Sequence, residues 1–306
     1  MNDTDKFKLE FTGVYLQMPN CALLSSEAEE LAEEQVDHSY VYMHFNDKWY
    51  IIEQWPNAVV SMCHTGVTPA QLFFLCANGK VYRRYKSVIT EELIDPSDEG
   101  PSDLLLMRRI IAVGDELVAV GMARRAYKRS SAGAWAAIDA SCFVRRKDRT
   151  SATGFNDVVS FRAGLLAAGY KGEIWIYDGS TWTQDTSPTN VTLTCMASEP
   201  DGSAVVIAGL GGLVLSGLPG AWRVLTQNVT AGDFWGAVAF DGRVYLSNGD
   251  GVFKVDGNQL QRVSIDAQTK PSTGFLASRD SCIWSVGARD LYRSTDAVTW
   301  TRLPFP

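Results

Sequence analysis

The chain reads as an all-β protein, a single β-propeller of about seven four-stranded blades filling residues 1–306. Three observations predict it. Tryptophan returns at Trp135, Trp182, Trp222 and Trp300, in steps of 47, 40 and 78 residues, the last worth two units. A glycine keeps pace about 13 positions upstream, at Gly121, Gly169, Gly209 and Gly287. Short runs of β-branched and aromatic residues, bounded by turn formers, fill the intervals. A repeat of about 40 residues made of short strands is the mark of a propeller. The missing copy falls near position 261, where Leu260 takes the tryptophan's place.

The first blade is the least regular. Residues 7–11, 14–17, 40–45 and 49–53 are its expected strands, and six blades plus an N-terminal cap is the competing count. A short helical insertion is expected near residues 25–36, where Ser26 and Glu29 form a capping box. Leu24, Ala28, Leu31 and Ala32 would line its inner face, with Glu27, Glu30, Glu33 and Glu34 toward solvent. The second blade runs over 59–93, with an Asn78–Gly79 turn and Cys76 in the glycine slot. The third runs from Leu104 to Asp139. The fourth covers 158–184 with an Asp178–Gly179 hairpin signal, and the fifth covers 194–225 with Pro200-Asp-Gly as its first turn. Asp241–Gly242 and Asp256–Gly257 mark turns of the sixth. The seventh, over 273–303, is complete in itself, so closure by a blade shared between the two chain ends is not expected.

Composition agrees with a globular β protein: 46% hydrophobic and 21% charged residues leave ample side chain to bury. No apolar run is long enough to span a membrane. The start, Met-Asn-Asp-Thr-Asp-Lys, lacks the basic flank and apolar stretch of a secretory signal. Six cysteines without paired spacing read as buried free thiols, which suggests the cytoplasm. The net charge of −7 disfavours nucleic acid.

The last blade ends Tyr292-Arg-Ser294-Thr-Asp296-Ala-Val-Thr299-Trp300, and Tyr177-Asp178-Gly-Ser-Thr181-Trp182 is a weaker copy. These segments resemble the Asp box, Ser-x-Asp-x-Gly-x-Thr-Trp, of sialidase-type (BNR-repeat) propellers, with a turn one residue shorter and no glycine. In that family the box is a structural turn between outer strands, away from the channel. The resemblance therefore implies the fold and little about chemistry. Ser294 and Asp296 would bond the turn backbone, and Trp300 would bury its ring between blades.

The resemblance invites a search for a sialidase site: three arginines, a Tyr–Glu pair and an acid Asp. Arg109, Arg162 and Arg279 fall near inner strands, but the family's Phe-Arg-Ile-Pro signature is absent and no catalytic residue is carried over. Asp157, Asp201, Asp233 and Asp250 sit where paired carboxylates could meet, yet they are ordinary turn residues. His38, His44 and His64, even with Cys63, lack metal-ligand spacing, so no metal or cofactor is expected.

Charge is the remaining hint. Residues 108–149 hold ten basic residues and four acids, a local +6 that leaves −13 for the rest. Such polarity orients a charged partner. The expected function is non-catalytic binding of a protein, in the narrowest form a bacterial immunity protein that neutralises a toxin. The expected contacts are Arg124, Arg125, Lys128, Arg129, Arg145 and Arg146, or the acidic Glu30, Glu33 and Glu34. A monomer is expected. The alternatives are a sialidase-like hydrolase of acidic glycans and an assembly factor resembling the Asp-box propellers of photosystem biogenesis.

Overall fold

The computed structural model describes residues 8–66, 70–101, 105–265 and 270–305. Phe7 and Leu104, expected in strands, lie outside them, as does the start of the chain. Among the described residues there are seven four-stranded antiparallel sheets, each built from consecutive strands. They span residues 9–55, 59–93, 107–137, 155–185, 193–224, 234–263 and 275–302, here blades 1 to 7. The six-blade count is thereby set aside.

Seven apolar clusters fill the seven gaps between adjacent blades. A blade is packed on both faces, so the period-2 alternation of a strand sends its side chains to two different neighbours. In blade 5, Val206 and Ala208 face blade 6 while Val205 and Ile207 face blade 4. Second strands such as Leu72–Cys76 and Val205–Gly209 are consequently unbroken apolar runs. The recurring indoles fill a common position. Trp135, Trp182, Trp222 and Trp300 each pack into the gap behind their own blade, and Leu260 does so in blade 6.

The glycine slot has a steric cause. It lies at the end of the second strand, where the chain entering the same blade crosses over it. A Cβ on Gly169 would stand 1.8 Å from the carbonyl oxygen of Gly154, and one on Gly209 would stand 2.3 Å from that of Thr192. Blades 2 and 6 place Cys76 and Asn248 at the equivalent register.

The first blade departs from expectation. Residues 9–18 form one strand, Leu9–Met18, rather than two. Its partner is Cys21–Ala28, the segment expected to begin the helix. The helix α1 shrinks to one turn, Glu29–Glu33, and its N-cap Ala28 makes no side-chain cap bond, so the Ser26–Glu29 capping box does not form. Ser26 is instead buried in the strand. Burial on both faces overrides the helix propensity of Leu, Ala and Glu. Leu23 packs toward blade 2, while Ala22 and Leu24 pack toward blade 7.

The ring closes by packing between blades 7 and 1, without a shared sheet. Phe11, Leu24, Trp284 and Leu291 form the seam, the Phe11 N–H donates to the Ala288 carbonyl (2.9 Å), and Trp49 Nε1 donates to the Pro304 carbonyl (2.9 Å).

Candidate binding site at the channel mouth

The first strand of every blade lines the central channel. The register pairs Leu9 with Ala28 and Phe155 with Gly169, so first strands begin where second strands end. That end, called the upper face, also carries the links between second and third strands: α1, Tyr170–Gly172 and Leu210–Gly212. Here the channel opens into a cavity of about 640 Å³ lined by all seven first strands.

Six of those strands share one irregularity. The ladder skips one residue near the upper end: Thr12, Val60, Arg108, Asn156, Thr194 and Trp235. Each is a β-bulge, a device that re-aims a side chain. All six line the cavity. Blade 7 pairs in unbroken register over Phe275–Arg279. Thr12 Oγ1 donates to Ser25 Oγ (3.0 Å), Asn156 Nδ2 to the Leu193 carbonyl (2.7 Å), and Thr194 Oγ1 to the Phe234 carbonyl. Arg108 forms no ion pair among the described residues, and its buried Nε has no hydrogen-bond partner. Trp235 is 53% exposed.

Below the mouth, Arg109 pairs with buried Asp157 at 3.1 Å. Burial raises the Asp157 carboxyl above the usual carboxylate range, against the pull of Arg109 and the N–H groups of Met196 and Val158. The opposite end holds a second cavity, of about 270 Å³, lined by Tyr15, His64, Arg109 and Arg279 among others. Tyr15 Oη lies 2.6 Å from His64 Nδ1. Burial, more than any other cause, pushes the Tyr15 hydroxyl up to about 12 and the His64 imidazole down.

This is not a sialidase arrangement. Arg162 sits exposed at a hairpin turn outside both cavities, Arg279 lines the lower cavity and Glu27 the upper one, so the three arginines do not converge beside a glutamate. Asp201 and Asp233 accept turn N–H groups, from Ser203 (2.9 Å) and Gly211 (2.7 Å). Asp250 accepts from Thr230 Oγ1 (2.9 Å). His38 accepts the Ala28 N–H (2.7 Å), and His44 is packed against Trp49 and Trp284. Among the described residues no group of three or more His, Cys, Asp or Glu could hold a metal ion. All six cysteines are free and buried. Burial pushes the Cys63, Cys76 and Cys142 thiols up to about 12.

The basic segment is largely neutralised by acids from the flanking blades. Arg124 makes a two-pronged pair with Glu173 (2.7 and 2.7 Å) and Arg129 another with Glu92 (2.7 and 2.7 Å). Arg125 reaches Asp95 (2.8 Å) and Asp139 (3.3 Å), and Lys128 reaches Glu116 (2.6 Å). Arg125 and Arg129 are 5% and 4% exposed, which leaves them little surface to offer a partner. Arg145 and Arg146 follow blade 3 on the upper face and form no ion pair among the described residues. Glu30, Glu33 and Glu34 are exposed on α1, at the same face. The two groups of charges thus share one face of the ring. The bulge ring itself has no sequence signature, because its six residue types are unrelated and the skip depends on the neighbouring strand.

The turn over residues 294–299 is built from side-chain-to-backbone bonds. Asp296 Oδ1 accepts the N–H groups of Val298 (2.8 Å) and Thr299 (2.7 Å), and Ser294 Oγ accepts that of Ala297 (2.9 Å). These donors hold the Asp296 carboxyl at about 2.

No protein-family model matches the chain. The immune protein Tsi7 of Pseudomonas aeruginosa is 30% identical over 297 residues, covering 95% of this chain and 96% of Tsi7. Among solved structures, YCF48 bound to D1 peptide is similar with a TM-score of 0.69 at 12% identity, covering 98% of this chain and 95% of that one. An ancestral GH74 enzyme is similar with a TM-score of 0.68 at 13% identity, covering 96% of this chain and 46% of its own. Likeness at these identities speaks to fold alone.

Proposed function

The chain belongs to the family of the immune protein Tsi7, and we propose that it is itself an immunity protein, one that neutralises a toxin by binding it without catalysis. The observation that carries this is the likeness to Tsi7 over nearly the whole of both chains. The site chemistry supports it. Carboxylates of the kind a hydrolase uses in pairs are bonded to turn backbone, and the channel walls are braced between blades. Such a ring offers a stiff, preorganised surface, which lowers the ordering cost of association.

The interface is the upper face. It carries the cavity mouth, the acids Glu30, Glu33 and Glu34, and the basic pair Arg145 and Arg146. The protein acts as a monomer and one folding unit, in the cytoplasm, where its six free thiols stay reduced. The test is co-expression with candidate toxic polypeptides from the same genome. Restored growth together with a stable complex, purified at fixed stoichiometry, is expected. Absence of both for the wild-type chain would overturn the reading.

A further inference from the structure

The six bulges set one backbone geometry and six different chemistries around one opening. Fold stability explains the shared geometry. It does not explain why Arg108 and Trp235 occupy two of the positions. Thr12, Asn156 and Thr194 are tied to neighbouring groups, two of them to the next blade. Arg108 is not. The residue is partly buried, its Nε is sealed from solvent without a partner, and it has no counter-ion among the described residues. Six other bases of the same segment, among them Arg109, Arg124 and Arg129, are paired. A cation partly withdrawn from water with no anion beside it is costly, so the arrangement favours a ligand that brings the anion. Trp235 stands in the same wall with half its surface exposed, an aromatic of the kind that dominates binding energy at interfaces.

The surroundings narrow the ligand. Glu27 lines the mouth, and Glu30, Glu33 and Glu34 stand on α1 at the same face. A broad acidic surface would be repelled by these before reaching Arg108. A protruding segment with a carboxylate at its tip and basic residues on its flanks matches both signs. The cavity, at about 640 Å³, falls within the size range of binding clefts.

We infer that the channel mouth receives an extended segment of the protein partner, whose carboxylate pairs with Arg108 and whose apolar side chain packs on Trp235. This rests on the immunity reading and adds to it the site and the chemistry of recognition. Arg109, already paired with Asp157, holds the floor and keeps Arg108 as the available cation.

The experiment uses the full chain and the toxin polypeptide identified by growth rescue. Arg108→Glu and Trp235→Ala remove no intramolecular hydrogen bond among the described residues, so both variants should keep the wild-type melting temperature. Each should raise the Kd by about tenfold or more, mainly through faster dissociation. A photo-reactive phenylalanine analogue at position 235 should cross-link to a toxin segment that contains Asp or Glu with Lys or Arg nearby. The same analogue at position 51, where Ile51 is 75% exposed on the outer strand of blade 1, should not. Wild-type affinity in both variants, or cross-linking equal at the two positions, would overturn the assignment and leave the immunity reading intact. Failure of the wild-type chain to bind the toxin would remove both.

Discussion

Arg129→Met should unfold the protein more readily without touching its binding face. The guanidinium is 5% exposed and holds the 17% exposed carboxylate of Glu92 with two bonds of 2.7 Å. It also stacks over the Phe73 ring at 5.0 Å. Removing one partner of a buried pair costs about 3–5 kcal/mol, because the other charge stays behind in a poor solvent. Here the low end applies. Glu92 keeps the Trp135 Nε1 donor at 3.0 Å and Arg83 at 3.7 Å, and methionine refills the apolar volume. The expected loss is about 3 kcal/mol. In Arg129→Met/Glu92→Met the buried orphaned carboxylate is gone and only Trp135 Nε1 and the 34% exposed Arg83, still bonded to Thr90, lose a partner, so the double variant should lie within about 1.5 kcal/mol of wild type, a coupling of about that size or more. Urea unfolding followed by tryptophan fluorescence and by circular dichroism measures all three. A loss under about 1 kcal/mol for the single variant would refute the account, as would a double variant no better than the sum of its singles. Charge reversal at Arg124 or Arg125 should likewise act on folding, since Glu173, Asp95 and Asp139 would be left facing a like charge.

Trp182→Ala should cost about 3–5 kcal/mol, since this indole is 2% exposed against Phe155 and Tyr177. Trp300→Ala, half-buried, should cost less, and equal urea midpoints for the two would contradict the packing described. Gly169→Ala should lose about 3 kcal/mol or more, the upper end of overpacking, because the added carbon meets a backbone oxygen at 1.8 Å. Wild-type stability of that variant would show the crossing to be looser than drawn. The Asp296 carboxyl, held at about 2, is depressed relative to an unfolded aspartate near 3.9. Its stabilisation is thus present above about pH 4 and lost as pH falls through about 2. The urea-midpoint gap between wild type and Asp296→Asn should close over that interval, and a gap constant down to pH 2 would exclude the effect.

The sequence by itself determined the propeller fold and the order of its blades, while the count of seven against six plus a cap was decided by the structure. Strand runs, Asp-Gly turns and the tryptophan and glycine slots are local signals, repeated, so each copy corroborates the others. Local signals misled in blade 1, where residues 9–18 form one strand instead of two and the start of the expected helix lies in the strand Cys21–Ala28, whose apolar faces are split between blades 7 and 2. What the tertiary structure alone decided is where charge and chemistry end up. Arg124 and Glu173 are 49 positions apart in the chain, and Arg129 and Glu92 are 37 apart. The segment that reads as +6 is therefore neutralised in space by acids from its neighbours. The channel ring is decided the same way. A bulge exists only relative to the strand it pairs with, so Arg108 and Trp235 become neighbours of one cavity through register and ring closure, neither of which any short stretch of residues encodes.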